Sequence, residues 1–227
     1  MKIHPDILMH WTPRRWAGKE LNSTLRTSYV EHLKSLCLSG LHFSKPQTQE
    51  TIRGFNRSAD LPTLPIVCFT ELRLSMVEKH INTYGSLGLG FRRSYLMERG
   101  ANPVFYLQNA NQGIVNTNLQ GLTEQVDNVP GLPVFLSYIK KMSSEVGGDL
   151  DLYDEMEWRI VGCNLAGWSP FKKDGDNFTL DFRPQDVEII VFPDAATREA
   201  AFADSDITDF FRDGTPMTLD APDVGNI

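Results

Sequence analysis

The run Pro65-Ile66-Val67-Cys68-Phe69-Thr70 constrains the fold more than any other stretch of this chain. Its apolar residues are consecutive rather than alternating, so a strand here has no polar face to turn to water and belongs in the centre of a sheet, covered on both faces. Val187–Phe192 (VEIIVF) reads as another strand, and Ile7–Thr12 (ILMHWT) as a short one that Pro13 ends. Helical spacing lies between them: Leu25, Tyr29, Leu33 and Leu36 share one face of a helix over 24–38, with Gly40 as its stop. Leu74, Val77, Ile81 and Tyr84 mark a second helix. Further strands are read at 41–44, at 84–91 and at 103–107; in the second, Gly85, Gly88 and Gly90 imply a bend or a close neighbour. Ser94 reads as the N-cap of a short helix over 95–99, and Pro133 as the first turn of a helix over 133–144. Residues 157–163 and 178–182 look like an antiparallel strand pair, and 194–212 is read as helical. Residues 45–62 read as a loop. Strands and helices mix without a strict βαβ rhythm. The expected class is therefore α+β, with a mixed, mostly antiparallel central sheet and flanking helices.

With 227 residues the chain has room for one large core, expected over residues 1–213, with 214–227 as a loosely packed tail. A net charge of -7 argues against broad, non-specific nucleic-acid binding, which needs a basic surface. Arg14, Arg15 and Lys19, and separately Arg92 and Arg93, are local exceptions. Cys37, Cys68 and Cys163 are odd in number, widely spaced and set in apolar stretches, so they read as free thiols of a reducing compartment. No run approaches the roughly 18 apolar residues of a membrane span, and the start lacks a signal-peptide core. A cytoplasmic location is expected, with no membrane partner.

Among residues that could carry chemistry, the segment Tyr153–Val161 is the richest. A polar loop runs into a strand on which Glu155, Glu157, Arg159 and Val161 share one face, while Met156, Trp158 and Ile160 share the other. A carboxylate beside an arginine stays ionised and can accept hydrogen bonds from hydroxyls. An ordinary ion pair on a surface strand gives the same pattern. His10 and Thr12 share a strand and could hold a polar ligand; His42 with Ser44 is a weaker version of that pairing. Glu71 follows the central strand, and His80 and Tyr84, four apart, share a helix face. There is no HExxH, no GxSxG turn, no Walker loop and no GxGxxG after the first strand.

Taken together, the early HWT, the block CFTELRLS followed by His80, YGSLGLGF and GANPVFY, and the later YDEMEWRIV resemble the AbiGi-type abortive-infection proteins of bacteria, over about residues 8–195. That resemblance implies a phage-resistance locus of toxin–antitoxin type and a cognate toxin or antitoxin protein as partner. A remoter similarity links the same order of signals to ADP-ribosyltransferases. It implies an ADP-ribosyltransferase-like fold, with NAD as substrate and an unidentified macromolecular acceptor. Under it, His10 and Thr12 anchor a ribose or the nicotinamide amide. Either Ser44 or Tyr84 supplies the middle element. Glu157 bonds the ribose 2'-hydroxyl and stabilises an oxocarbenium-like transition state, Glu155 orients the acceptor, and Arg159 or Arg14 holds the pyrophosphate. The alternative is a non-enzymatic antitoxin or regulatory partner on the same scaffold.

Overall fold

A computed structural model describes residues 6–44, 64–71, 77–108, 122, 125, 128–142, 156–163, 171–174 and 177–224. The loop read at 45–62 lies outside them. In chain order the strands are β1 (Ile7–Thr12), β2 (Leu41–His42), β3 (Ile66–Glu71), β4 (Leu87–Arg92), β5 (Asn102–Pro103), β6 (Phe105–Gln108), β7 (Ile139–Met142), β8 (Glu157–Val161), β9 (Lys172–Asp174), β10 (Asn177–Leu180), β11 (Val187–Phe192) and β12 (Met217–Asp220). The helices are α1 (Ser23–Ser39), α2 (Val77–Tyr84), α3 (Arg93–Met97), α4 (Leu132–Leu136), α5 (Ala195–Ala203), α6 (Ser205–Phe210) and α7 (Ala221–Val224). The class is the expected one: a large, mostly antiparallel sheet with helices flanking it. Where the sequence reading has one domain, the chain packs as two compact units. One holds Met1–His42, Phe69–Glu98 and Thr179–Ile227; the other holds Phe43–Cys68 and Arg99–Phe178. Two of the four boundaries between them fall inside β3 and β10, where no shift in composition marks them.

In the first unit the sheet order is β12-β11-β4-β1, and the end of β3 pairs with β1 (Met9↔Thr70). Pairing is antiparallel except between β11 and β12. Trp11, Gly88, Val191 and Leu219 form one row across four strands. The glycines of β4 exist for their neighbours: a Cβ on Gly88 would lie 2.6 Å from the Trp11 ring, and one on Gly90 would run into Ile189. Met9, Trp11, Ile189 and Val191 fill that space as a buried cluster. Helix α1 starts where the Asn22 side chain accepts the Leu25 N–H (2.9 Å) and stops at Gly40, whose φ of 78° suits glycine. It buries Tyr29, Val30, Leu33, Leu36 and Cys37 and packs against α5 and α6.

Three expectations are corrected in this unit. Ser94 lies inside α3 rather than capping it; the N-cap is Arg92, which makes no side-chain cap bond. The strand read at 178–182 pairs with β2 (Thr179↔His42), not with the 157–163 strand. The tail after 213 supplies β12, parallel to β11, and Leu219 packs on the Trp11 cluster. A Pro- and Asp-rich composition hides this, because only MTLD of that segment has strand character and its pairing partner is distant in sequence. Ending the chain at residue 213 is therefore expected to cost on the order of 1–2 kcal/mol, the worth of a partly buried leucine and an edge ladder. A truncated chain melting at the temperature of the full chain would restore the loose tail.

In the second unit the start of β3 is followed by β8 and then β5, with β5 and β8 antiparallel (Asn102↔Arg159). Strands β6 and β7 form a parallel pair (Phe105↔Ile139). Here the helix expected over 133–144 fails halfway. Helix α4 ends at Leu136, and residues 139–142 become β7 because pairing with β6 outweighs the local helical spacing. Phe43, Phe171 and Phe178 pack with ring centroids 5.0 to 6.1 Å apart.

Candidate functional site

The charged face of β8 is buried. Met156 turns the chain into the strand with a φ of 41°, unusual for a residue with a side chain. The Glu157 backbone N–H then donates to the Tyr106 hydroxyl (2.8 Å), and its carbonyl accepts from Val104 (2.8 Å). Glu157 and Arg159 are only 8% and 6% exposed, so the surface-strand reading does not apply. Arg159 forks onto the carboxylate, Nε to Oε1 at 2.6 Å and Nη2 to Oε2 at 3.2 Å. Lys140 of β7 donates to Oε2 at 3.0 Å. The remaining guanidinium nitrogen, Nη1, donates to the Ser137 carbonyl at 2.6 Å. The Cys68 thiol adds a further hydrogen bond to Glu157.

These contacts set the ionisation. Burial alone would raise the Glu157 carboxyl. The charges of Arg159 and Lys140, with hydrogen bonds from Arg159 and Cys68, overturn that and hold it at about 2. Burial, and then the Glu157 charge, push the Cys68 thiol well up, so it is a poor nucleophile. As it stands the cluster is a clamp, charged at neutral pH, that joins β7 to β8 with both carboxylate oxygens occupied.

Of the other sequence-selected residues, Ser44 lies in this same unit, exposed, bridging the start of β3 through Ile66 (2.8 and 2.9 Å). Glu155 lies outside the described residues. His10, Thr12 and Tyr84 belong to the first unit. His10 packs its ring on Phe69 (5.8 Å). The Thr12 hydroxyl is hydrogen-bonded to His32 Nε2 at 2.9 Å. Tyr84 stacks on His80 (5.9 Å), and the Arg14 guanidinium lies over its ring. Of the two basic clusters, Arg92 and Arg93 are paired with Glu188 and Glu71.

Sequence reasoning misses Lys140, Ser137, Tyr106 and His32. Lys140 and Ser137 sat in a stretch read as one helix. His32 sits on α1, and only the pairing of β1 with its surroundings shows that Thr12 reaches it. Burial holds the His32 imidazole down at about 4 rather than 6.5, helped by the positive neighbourhood of His10, Arg15 and His42. The folded state thus binds this proton less readily than the unfolded chain, so its contribution is whole above pH 6.5 and is lost as pH falls towards 4. After solvent screening the loss should be roughly 2 kcal/mol. His32→Gln, which keeps a partner for Thr12 but cannot titrate, should remove most of that slope from a plot of urea midpoint against pH. An unchanged slope would assign it to other groups.

Among the described residues no helix is long and apolar enough to cross a membrane. Comparison with curated proteins and with solved structures returns no match. A family model does match: "Putative abortive phage resistance protein AbiGi, antitoxin", over residues 42–193. That span holds β3, the glycine-bearing β4, the Glu157 clamp and β11. Covering about two thirds of the sequence, the match shows that this chain belongs to the AbiGi family of abortive phage resistance proteins.

Proposed function

We propose that this protein is the antitoxin of an abortive-infection pair and acts by binding a cognate toxin protein, without catalysis of its own. The observation that carries the reading is the family match over residues 42–193, whose description is an antitoxin. The state of Glu157 supports it. A catalytic glutamate needs an oxygen free for substrate, and both oxygens here are held by Arg159 and Lys140. A protein partner is also favoured by Phe105 and Phe135, 55% and 47% exposed with rings 6.2 Å apart, an apolar pair of the kind that binding covers. The test is growth rescue. Co-expression with the toxin encoded beside it should restore growth, and Phe135→Glu should weaken the rescue while leaving the melting temperature unchanged. Failure of the wild-type chain to rescue would sink the reading.

Transfer of ADP-ribose from NAD is the lesser proposal. It keeps one supporting observation, a glutamate at the start of a strand with an arginine two residues on. It requires Glu157 to leave its buried clamp. The purified chain releasing nicotinamide from NAD, and Glu157→Gln abolishing that release, would favour it.

A further inference from the structure

The exposed apolar side chains of the second unit gather on a short part of it. Phe105 and Phe135 are joined there by Leu122 and Val129, 42% and 46% exposed. In the first unit the exposed apolar residues Leu38, Met97 and Met217 stand on three separate elements, α1, α3 and β12. Single residues scattered in that way are ordinary on any protein surface. Several gathered on one segment mark a surface that binding covers.

Backbone hydrogen bonds set the arrangement. The Gln125 N–H donates to the Leu122 carbonyl (3.0 Å), Val129 to Gln125 (3.0 Å), and Leu132 to Val129 (3.1 Å). Each step has the span of a helical turn, so Leu122 and Val129, two turns apart, come to the same side. Gly131, with a φ of 86°, redirects the chain into α4. Helix α4 then sets Phe135 beside Phe105 of β6, with ring centroids 6.2 Å apart. The Phe105 N–H donates to the Tyr138 carbonyl at 2.8 Å and holds that pair in place. Two features select an occupant. The N–H groups of Gln125, Asn128, Val129, Leu132 and Phe135 all donate within this segment. An incoming strand therefore finds no ladder to join there, and recognition runs through side chains, as when an apolar surface receives an amphipathic helix. The second feature is charge. From Val104 to Ile139 the sequence carries the acids Glu124 and Asp127 and no Lys or Arg, in a chain whose net charge is -7. Acids beside the apolar face of a partner are repelled by such a chain, and Lys or Arg are attracted.

From this we infer that Leu122, Val129, Phe105 and Phe135 dock an amphipathic helix of the cognate toxin, apolar on one face and flanked by Lys or Arg. The inference rests on the antitoxin reading and names the chemistry of the segment that is bound. Apolar residues at i, i+3, i+4 and i+7 of that helix cover the exposed side chains, with the aromatic pair as the anchor. Its basic flank sets the rate of encounter and the salt dependence more than the final affinity. No bond is made or broken, and the Glu157 clamp keeps its contacts.

Selection of a display library of helical peptides, each about 18 residues or five turns long, against the full chain tests the surface. Enriched peptides should carry apolar residues at i, i+3, i+4 and i+7 with a net positive charge, and bind with Kd below about 100 µM. Val129→Ser and, separately, Phe135→Ser should weaken the best of them at least about tenfold, whereas Leu38→Ser, in the first unit, should leave binding unchanged. None of these substitutions alters the charge, so general attraction to an acidic chain survives in all three and does not imitate the result. Val129 lies in an exposed turn, so its variant decides the matter even if Phe135→Ser fails to fold. Enriched peptides without net positive charge, or binding unaffected by Val129→Ser, overturn the inference. So does a dimer of the chain alone that Val129→Ser dissociates, which assigns the surface to a second copy. Growth rescue by a wild-type chain that binds no such peptide overturns this surface and leaves the antitoxin reading. Peptide binding without growth rescue removes the toxin as owner of the helix and sinks that reading instead.

Discussion

Replacing Arg159 with methionine should destabilise the protein by about 3–5 kcal/mol, because it strands a buried carboxylate. Glu157 would keep only Lys140 as a charged partner, and the Ser137 carbonyl would lose its donor. The mirror change, Glu157→Gln, leaves the Arg159 guanidinium buried at 6% exposure with a neutral partner, and should cost a similar amount. Replacing both with apolar residues of like size should recover most of the loss, since the desolvation of two charges disappears with them. Urea denaturation of the two single variants and the double variant measures this directly. A double variant as unstable as the sum of the singles would mean that the ion pair itself, not its desolvated remnant, supplies the stability.

Acid should release the same clamp. The Glu157 carboxyl titrates at about 2 in the folded protein against an ordinary 4.5. A lowered folded value means the unfolded chain takes the proton first. The contribution is therefore complete above pH 4.5 and is lost as pH falls through that value towards 2. The shift corresponds to about 3 kcal/mol at neutral pH. This window lies below that of His32, so wild-type stability should fall in two stages, the upper one removed by His32→Gln and the lower one by the apolar double variant. If the double variant keeps the lower stage, the titration belongs to other carboxylates.

How much of this is legible in the sequence follows from what each element depends on. Strands β1 and β11 and helix α1 are read close to their true bounds because their own apolar spacing decides them. Strand β7 is not legible, since Ile139 becomes a strand residue only by pairing with Phe105, more than thirty positions away. The tail strand fails in the same way, needing β11 beside it. Alternation correctly sets Glu157 and Arg159 on one face. It cannot show that the face is buried, because the groups that complete the satisfaction of the pair, Lys140 and the Ser137 carbonyl, arrive from a distant segment. Trp158, read as core, is only half-buried. The placement of His10, Thr12 and Tyr84 in one compact unit and of Glu157, Arg159 and Ser44 in the other lay beyond pattern, because the chain enters each unit more than once.

The proposed role rests on a direct interaction, and one titration tests it. A purified candidate toxin, assayed for its own activity, should lose that activity in proportion to added protein, through a complex visible by size-exclusion chromatography, with any NAD present left intact. Undiminished toxin activity at a several-fold excess of this chain, with no complex, would contradict the account.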